Sequence, residues 1–342
     1  MTTVHSTLHR LIVGTATRDR LSAAVSQLAA AGALIVIFTY LSIASPAFLT
    51  ADNLFNIGVQ TAVTAIIAIG MTVVIITGGI DLSVGSVAAL AGVAGALLMS
   101  RYGFPPLLAI VAGVAVGALA GLVNGLLVST AHMAPFISTL GMMSVARGTV
   151  FIVTGAVAVF GLPDSFRLLG QGQMGLLPLP ILVLAVIAVL CHVMLTRTRL
   201  GRYCYAIGSN PEAATLSGIR VRTTLTSAYV ISGALAGFGG MMAASRINSG
   251  QPNFGLGLEL DVIAAAVIGG ASLFGGQGTV FGTLIGAFMM ALIRNGSVLL
   301  DINIFYQSVI IGVVIWLAVY WDQFRRRRLE AGTNRQPPSP EE

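Results

Sequence analysis

RTRLGRYCYAIGSNPEAATLSGIRVR, residues 197–222, is the longest polar interval between the apolar segments of this 342-residue chain. It sets Arg197, Arg199, Arg202, Arg220 and Arg222 against one acid, Glu212. A short arginine-rich loop between two membrane-length apolar segments marks the cytoplasmic side of a membrane protein. The topology can be counted outward from it. Within it, Asn210-Pro211-Glu212 reads as a helix start. Asn210 can cap, Pro211 suits the first helical position, and Glu212 favours the positive end of the helix dipole. Gly218 stops that helix. A helix of about two turns outside the bilayer is too short to be stable alone in water, so it needs a partner surface.

The composition fits a membrane protein. The chain is 56% hydrophobic and only 9% charged, against roughly 25% charged in soluble domains. Its eighteen basic residues are all arginine. Without lysine there can be no Gly-Lys-Ser/Thr phosphate loop, so transport driven by ATP would need another subunit to hydrolyse it. The net charge of +6 does not point to nucleic acid, because the arginines sit at membrane boundaries rather than on one basic face. Cys191 and Cys204 flank the cytoplasmic end of a span, where thiols stay reduced. Neither forms a metal-ligand spacing with His192, and His132 reads as a turn residue. No metal, cofactor or catalytic group is expected. The apolar run after Arg20 is too long for a cleavable signal.

Spans of about 20 apolar residues are expected near 28–44, 56–77, 83–100, 107–129, 137–160, 178–196, 224–245, 260–275, 280–295 and 304–321. The fold class is therefore an all-α polytopic membrane protein of about ten helices. Residues 1–27 form a cytoplasmic leader, 28–321 the transmembrane domain, and 322–342 a cytoplasmic, disordered tail with three prolines from Thr333 onward. With six spans before the central loop and four after it, both termini are cytoplasmic. Thirteen of the eighteen arginines then fall on that side. Arg101, Arg167, Arg246 and Arg294 fall outside or at the outer boundary, and only Arg147 lies within a span.

Glycine recurs every four residues at Gly113, Gly117 and Gly121, which lets helix backbones approach closely. Two glycine runs stand apart. Gly78-Gly79-Ile80-Asp81-Leu82-Ser83-Val84-Gly85-Ser86 and Gly269-Gly270-Ala271-Ser272-Leu273-Phe274-Gly275-Gly276 align without a gap at an offset of 191 residues, which sets Gly78, Gly79, Leu82 and Gly85 on Gly269, Gly270, Leu273 and Gly276. That pattern suggests a parallel internal repeat with interrupted helices in corresponding positions. Asp81 is a candidate cap of the third span and a candidate polar group on a translocation route. Arg147, roughly 15 Å into the fifth span, is a candidate for lining or bracing a wet cavity, the alternative being a span that starts later and lets it snorkel to the cytoplasmic surface.

The runs TGGIDLSVGS (77–86), GRYCYAIGSNPEAATLSGI (201–219) and VIGGASLFGGQGTVFGTLIGA (267–287) resemble the permease subunit of bacterial ribose-type ABC sugar importers, over about Ser45 to Trp321. The resemblance implies that the central loop docks on an ATPase through Gly208, Asn210, Pro211, Glu212, Ala213, Ala214, Ser217 and Gly218. Glu212-Ala213-Ala214 with Gly218 is also similar to the EAA-x-x-x-G signature of other importer permeases, although the Leu-Pro that closes it there is missing. The resemblance further implies a type II, ten-span fold like the vitamin B12 importer's permease. It implies a permease dimer, with itself or a paralogue, two cytoplasmic ATPase domains and a periplasmic sugar-binding protein in the bacterial inner membrane. A secondary transporter is the alternative, but ion-coupled carriers need several intramembrane ionisable groups, and this chain offers Asp81 and little else. The spans carry no hydrolase motif.

Overall fold

The computed structural model describes residues 28 and 30–333. The leader up to residue 27 and the segment 334–342, including Arg10, Arg18, Arg20 and Arg335, lie outside the described residues. The described residues run from α1 (Ala30–Ala44) through α2 (Ala51–Ile76), α3 (Val84–Tyr102), α4 (Pro106–Ser129) and α5 (Pro135–Thr154). A short 3-10 turn (Asp164–Arg167), α6 (Leu168–Gln171) and the two-residue strands β1 (Gln173–Met174) and β2 (Leu177–Pro178) follow. Then come α7 (Leu179–Arg197), α8 (Arg199–Ser209), α9 (Pro211–Leu216), α10 (Val221–Ile247), α11 (Leu258–Ile268), α12 (Val280–Leu299) and α13 (Ile304–Thr333). Among the described residues, α2, α3, α4, α5, α7, α10 and α12 are long and apolar enough to cross a membrane.

Local chemistry explains most boundaries. Pro106 and Pro135 open α4 and α5 at the position where a missing N–H costs nothing. Gly103 and Gly155 close α3 and α5 in the left-handed conformation. The expected span 137–160 therefore ends at Thr154. The expected span 260–275 is likewise cut short, because Gly270 (φ 92°) turns the chain after Ile268. In the other direction, α13 runs on to Thr333. Residues 322–333 are thus helical rather than disordered. Arginine, leucine and glutamate, which fill 325–330, are good helix formers, and the prolines begin only at residue 337.

α2 is the central post. Its residues from Ala62 to Ile76 are almost all buried, because α7, α10, α11 and α12 surround it. α4 and α10 cross where their glycines coincide. A Cβ on Gly117 would strike the backbone of Gly233 and Gly237, and one on Gly121 the backbone of Tyr229. The four-residue glycine stripe on α4 thus faces a matching stripe on α10, which is how helices associate in lipid without a hydrophobic drive. Reciprocal side-chain amide hydrogen bonds join Asn53 at the start of α2 to Asn295 near the end of α12.

Candidate functional site

The polar interval 197–222 folds as an elbow of two helices. Thr198 caps α8 by accepting from Gly201 N at 3.3 Å. Gly201, Cys204 and Ile207, three residues apart, form its buried face. The chain then turns at Asn210, whose Oδ1 accepts from Ala213 N at 2.9 Å, with Pro211 in the first turn of α9. α9 ends where Gly218 (φ 78°) donates to Thr215 O and Ile219 donates to Ala214 O, the paired bonds of a Schellman stop. The cap and the stop stand where the sequence puts them. α8 was not anticipated, because its arginines read as loop while its buried stripe recurs every third residue.

The side chains of α9 divide sharply. Ala214 is buried, whereas Leu216 is 90% exposed. The hydroxyls of Thr215 and Ser217 return to backbone carbonyls of the same helix at 2.8 Å. Glu212 stands in the first turn. A short, tightly capped helix therefore presents an acid and an unpartnered leucine.

The base of the elbow is a junction of glycines. A Cβ on Gly208 would overlap Ile76 O at the end of α2 and press on Gly276 N. Gly276 N itself donates to Ile76 O at 2.9 Å, and Tyr205 Oη donates to Gly278 O at 2.7 Å. Gly275 packs on Gly78 and Gly208. Gly78, Gly208, Gly275 and Gly276 thus meet at one point, bringing both glycine runs against the elbow. Gly269 lies elsewhere, where α11 and α12 cross backbone to backbone at Gly282. Gly79 lies beside Tyr229.

The two breaks share a form but not the gapless register. Gly78 donates to Ile75 O and Gly79 to Val74 O; Gly270 donates to Val267 O and Ala271 to Ala266 O. These are the same Schellman stop, with Gly78 matching Gly270 rather than Gly269. Gly85 lies inside α3, whereas Gly276 sits in a left-handed turn (φ 73°). The second break is the longer one because it must reach Gly208.

Asp81 is 1% exposed. Its Oδ1 accepts from Ser83 N at 3.0 Å and Ser83 Oγ at 2.6 Å, and its Oδ2 accepts from Ser232 Oγ on α10 at 3.0 Å. Asn124 on α4 donates to Ser83 Oγ at 3.0 Å. Ser83 is the N-cap residue of α3, so Asp81 braces the turn before the helix instead of capping it. Arg147 Nη1 donates to Pro252 O and Phe254 O, both at 2.8 Å, and so holds the turn that leads into α11. Asp81 and Arg147 share no hydrogen-bond partner.

Sequence reasoning missed a second buried acid. Asp261, in the first turn of α11, is paired with Arg294 of α12. Together with Arg246 they line a cavity of about 240 Å³ between α2, α10, α11 and α12. The signal was present in LELDVIAAAVI, but Asp261 reads there as a boundary residue at the start of an apolar run.

Two substitutions probe this geometry. Asp81→Asn keeps an acceptor for Ser83 and should leave the thermal inactivation of detergent-solubilised permease little changed. Asp81→Leu strands two buried hydroxyls, at about 1–3 kcal/mol each, and should lower the temperature of inactivation strongly; equal stability of the two variants would contradict the network. Cys204 tests the seating of α8. Burial pushes its thiol up to about 11, leaving roughly one part in ten thousand as thiolate at pH 7. A soluble maleimide should therefore label it only after denaturation. Native labelling at the rate of an exposed thiol would mean that α8 is not seated as described.

A bundle of long apolar helices with an exposed, capped helix at one end is the form of a transporter's membrane subunit. The chain belongs to the permease family described as "Branched-chain amino acid transport system / permease component", whose family model matches residues 53–319. It is 42% identical over 294 residues to the ribose import permease protein RbsC of Escherichia coli (strain K12), covering 85% of this chain and 91% of that protein. It is 37% identical over 289 residues to the D-allose transport system permease protein AlsC of the same strain, covering 84% and 89%. It is 33% identical over 359 residues to the xylose transport system permease protein XylH of Haemophilus influenzae, covering 87% and 96%. No solved structure matches the chain.

Proposed function

We propose that this chain is the membrane-spanning subunit of an ATP-binding cassette importer for a pentose- or hexose-sized sugar. The family description speaks of amino acids, but the relatives at 42%, 37% and 33% identity are named for ribose, allose and xylose. The observation that carries the ATP-driven reading is α9, a rigid two-ended cap exposing Leu216 and Glu212 where a soluble subunit can dock. With no lysine in the chain, ATP is hydrolysed by that partner. A periplasmic binding protein delivers the sugar at the opposite end.

The finer architecture follows the same reading. Adding α1, α11 and α13 to the seven long helices makes ten crossings, a type II arrangement with α8, α9 and both termini in the cytoplasm. Two permeases, identical or paralogous, pair in the bacterial inner membrane. The matched Schellman stops after α2 and α11 support a repeated unit. Gly78, Gly79, Gly269, Gly270, Gly275 and Gly276 act as helix breaks, and Gly78, Gly275 and Gly276 among them set the moving parts against the elbow. Asp81, Ser83 and Arg147 brace the route.

Reconstitution decides between this and an ion-coupled carrier. Proteoliposomes holding the permease, its ATPase and its binding protein should take up D-ribose, D-allose or D-xylose only with ATP. Uptake without the ATPase, driven by a proton or sodium gradient, would overturn the reading.

A further inference from the structure

The geometry points to the cavity between α2, α10, α11 and α12 as a binding site for a neutral sugar, with Arg246, Asp261 and Arg294 reading its hydroxyls. The proposal rests on the sugar-import reading and adds to it a site within the permease itself. It starts from a cost. Charged groups at membrane depth are expensive and are kept where they pair or face a polar cavity. Asp261 has a side chain only 6% exposed and pairs with Arg294 through Oδ2. Its Oδ1 has no partner among the described residues. Arg246 lines the same space, and its guanidinium has no hydrogen bond or ion pair among the described residues. Gln60 and Thr64, one turn apart on α2, add an amide and a hydroxyl to the wall, and Phe254 adds a ring.

The donor and acceptor pattern selects the ligand class. A guanidinium only donates and a carboxylate only accepts. A hydroxyl does both, so a polyol can donate to Asp261 Oδ1 while accepting from Arg246. An anion would satisfy Arg246 but would face the free oxygen of Asp261. At about 30 Å³ per water, 240 Å³ holds roughly eight waters, space enough for one monosaccharide. The cavity also lies at the receiving end of the bundle. Gln60 stands sixteen residues before Ile76, roughly 24 Å along α2 from the elbow. A site with a few hydrogen bonds and an open mouth would hold sugar briefly, as a transport route requires.

The test uses the full-length permease with its ATPase in nanodiscs and D-ribose as the probe, read by saturation-transfer NMR. Wild type should transfer saturation to ribose, and Arg246→Gln should weaken apparent affinity about tenfold, the loss expected for a hydrogen bond to a charged group. Arg246→Lys should restore part of it. Should Arg246→Gln fail to assemble with the ATPase, Gln60→Met carries the same test from another helix. No transfer in wild type, an unchanged signal in the assembled variant, or stronger binding of D-ribonate than of D-ribose would overturn the proposal. Failure of the wider reading looks different: the wild-type importer would show no ATP-dependent uptake of any of the three sugars, whatever the permease binds.

Discussion

Leu216→Glu, and separately the pair Glu212→Lys with Gly218→Pro, should leave the permease inserted in the membrane and abolish its stimulation of the ATPase. Leu216 is 90% exposed at the tip of α9, and a leucine that becomes buried at an interface is worth about 1.5–3 kcal/mol. Losing that contact weakens docking roughly ten- to hundredfold, and a carboxylate in its place costs more. Gly218→Pro acts on the helix itself. Gly218 adopts φ 78°, which proline cannot, and the ring removes the N–H that donates to Thr215 O. Glu212→Lys sets a cation against the positive end of the α9 dipole. The measurements are membrane insertion, co-purification of the ATPase and ATP-dependent uptake. Normal assembly and uptake in these variants would remove α9 from the coupling role.

The largest effect expected of any one-carbon change is at Gly208. In Gly208→Ala the new methyl overlaps Ile76 O and presses on Gly276 N, both backbone atoms that cannot rotate away. Overpacking of well-packed sites costs about 1–3 kcal/mol even where side chains can yield, and backbone neighbours raise that. The variant should lose thermal stability and coupling together, whereas Gly141→Ala, with open space around its position, should behave as wild type. A silent Gly208→Ala would mean that α8 does not seat against α2 and the second break as described.

Much of the elbow was legible because its chemistry is local. Asn210, Pro211 and Gly218 determine a cap, a first turn and a stop from a few neighbouring residues. The glycine stripe of α4 was legible for the same reason, since Gly113, Gly117 and Gly121 must share a face whatever lies opposite. What was not legible depends on partners far away in the chain. α8 was hidden because Arg199 and Arg202 dominate its composition while Gly201, Cys204 and Ile207 reveal their stripe only against α7, α10 and α2. Asp261 acquires its meaning from Arg294, thirty-three residues later. The meeting of Gly78, Gly208 and Gly275 joins segments whose spacing carries no periodic signal.

The glycine junction also limits how such permeases can be recombined. Where Gly208 meets Ile76 O and Gly276 N, and Gly275 meets Gly208 and Gly78, the contacts are backbone to backbone, so no rotamer change there can take up slack. On the proposed docking of α9, a displacement imposed there would pass through α8 to the end of α2 and the start of α12 together. For the same reason the elbow is not an exchangeable cassette. A chimera that imports residues 197–222 from a relative must carry that relative's 76–79 and 275–278 as well, or the transplanted hinge will meet a surface cut to another shape.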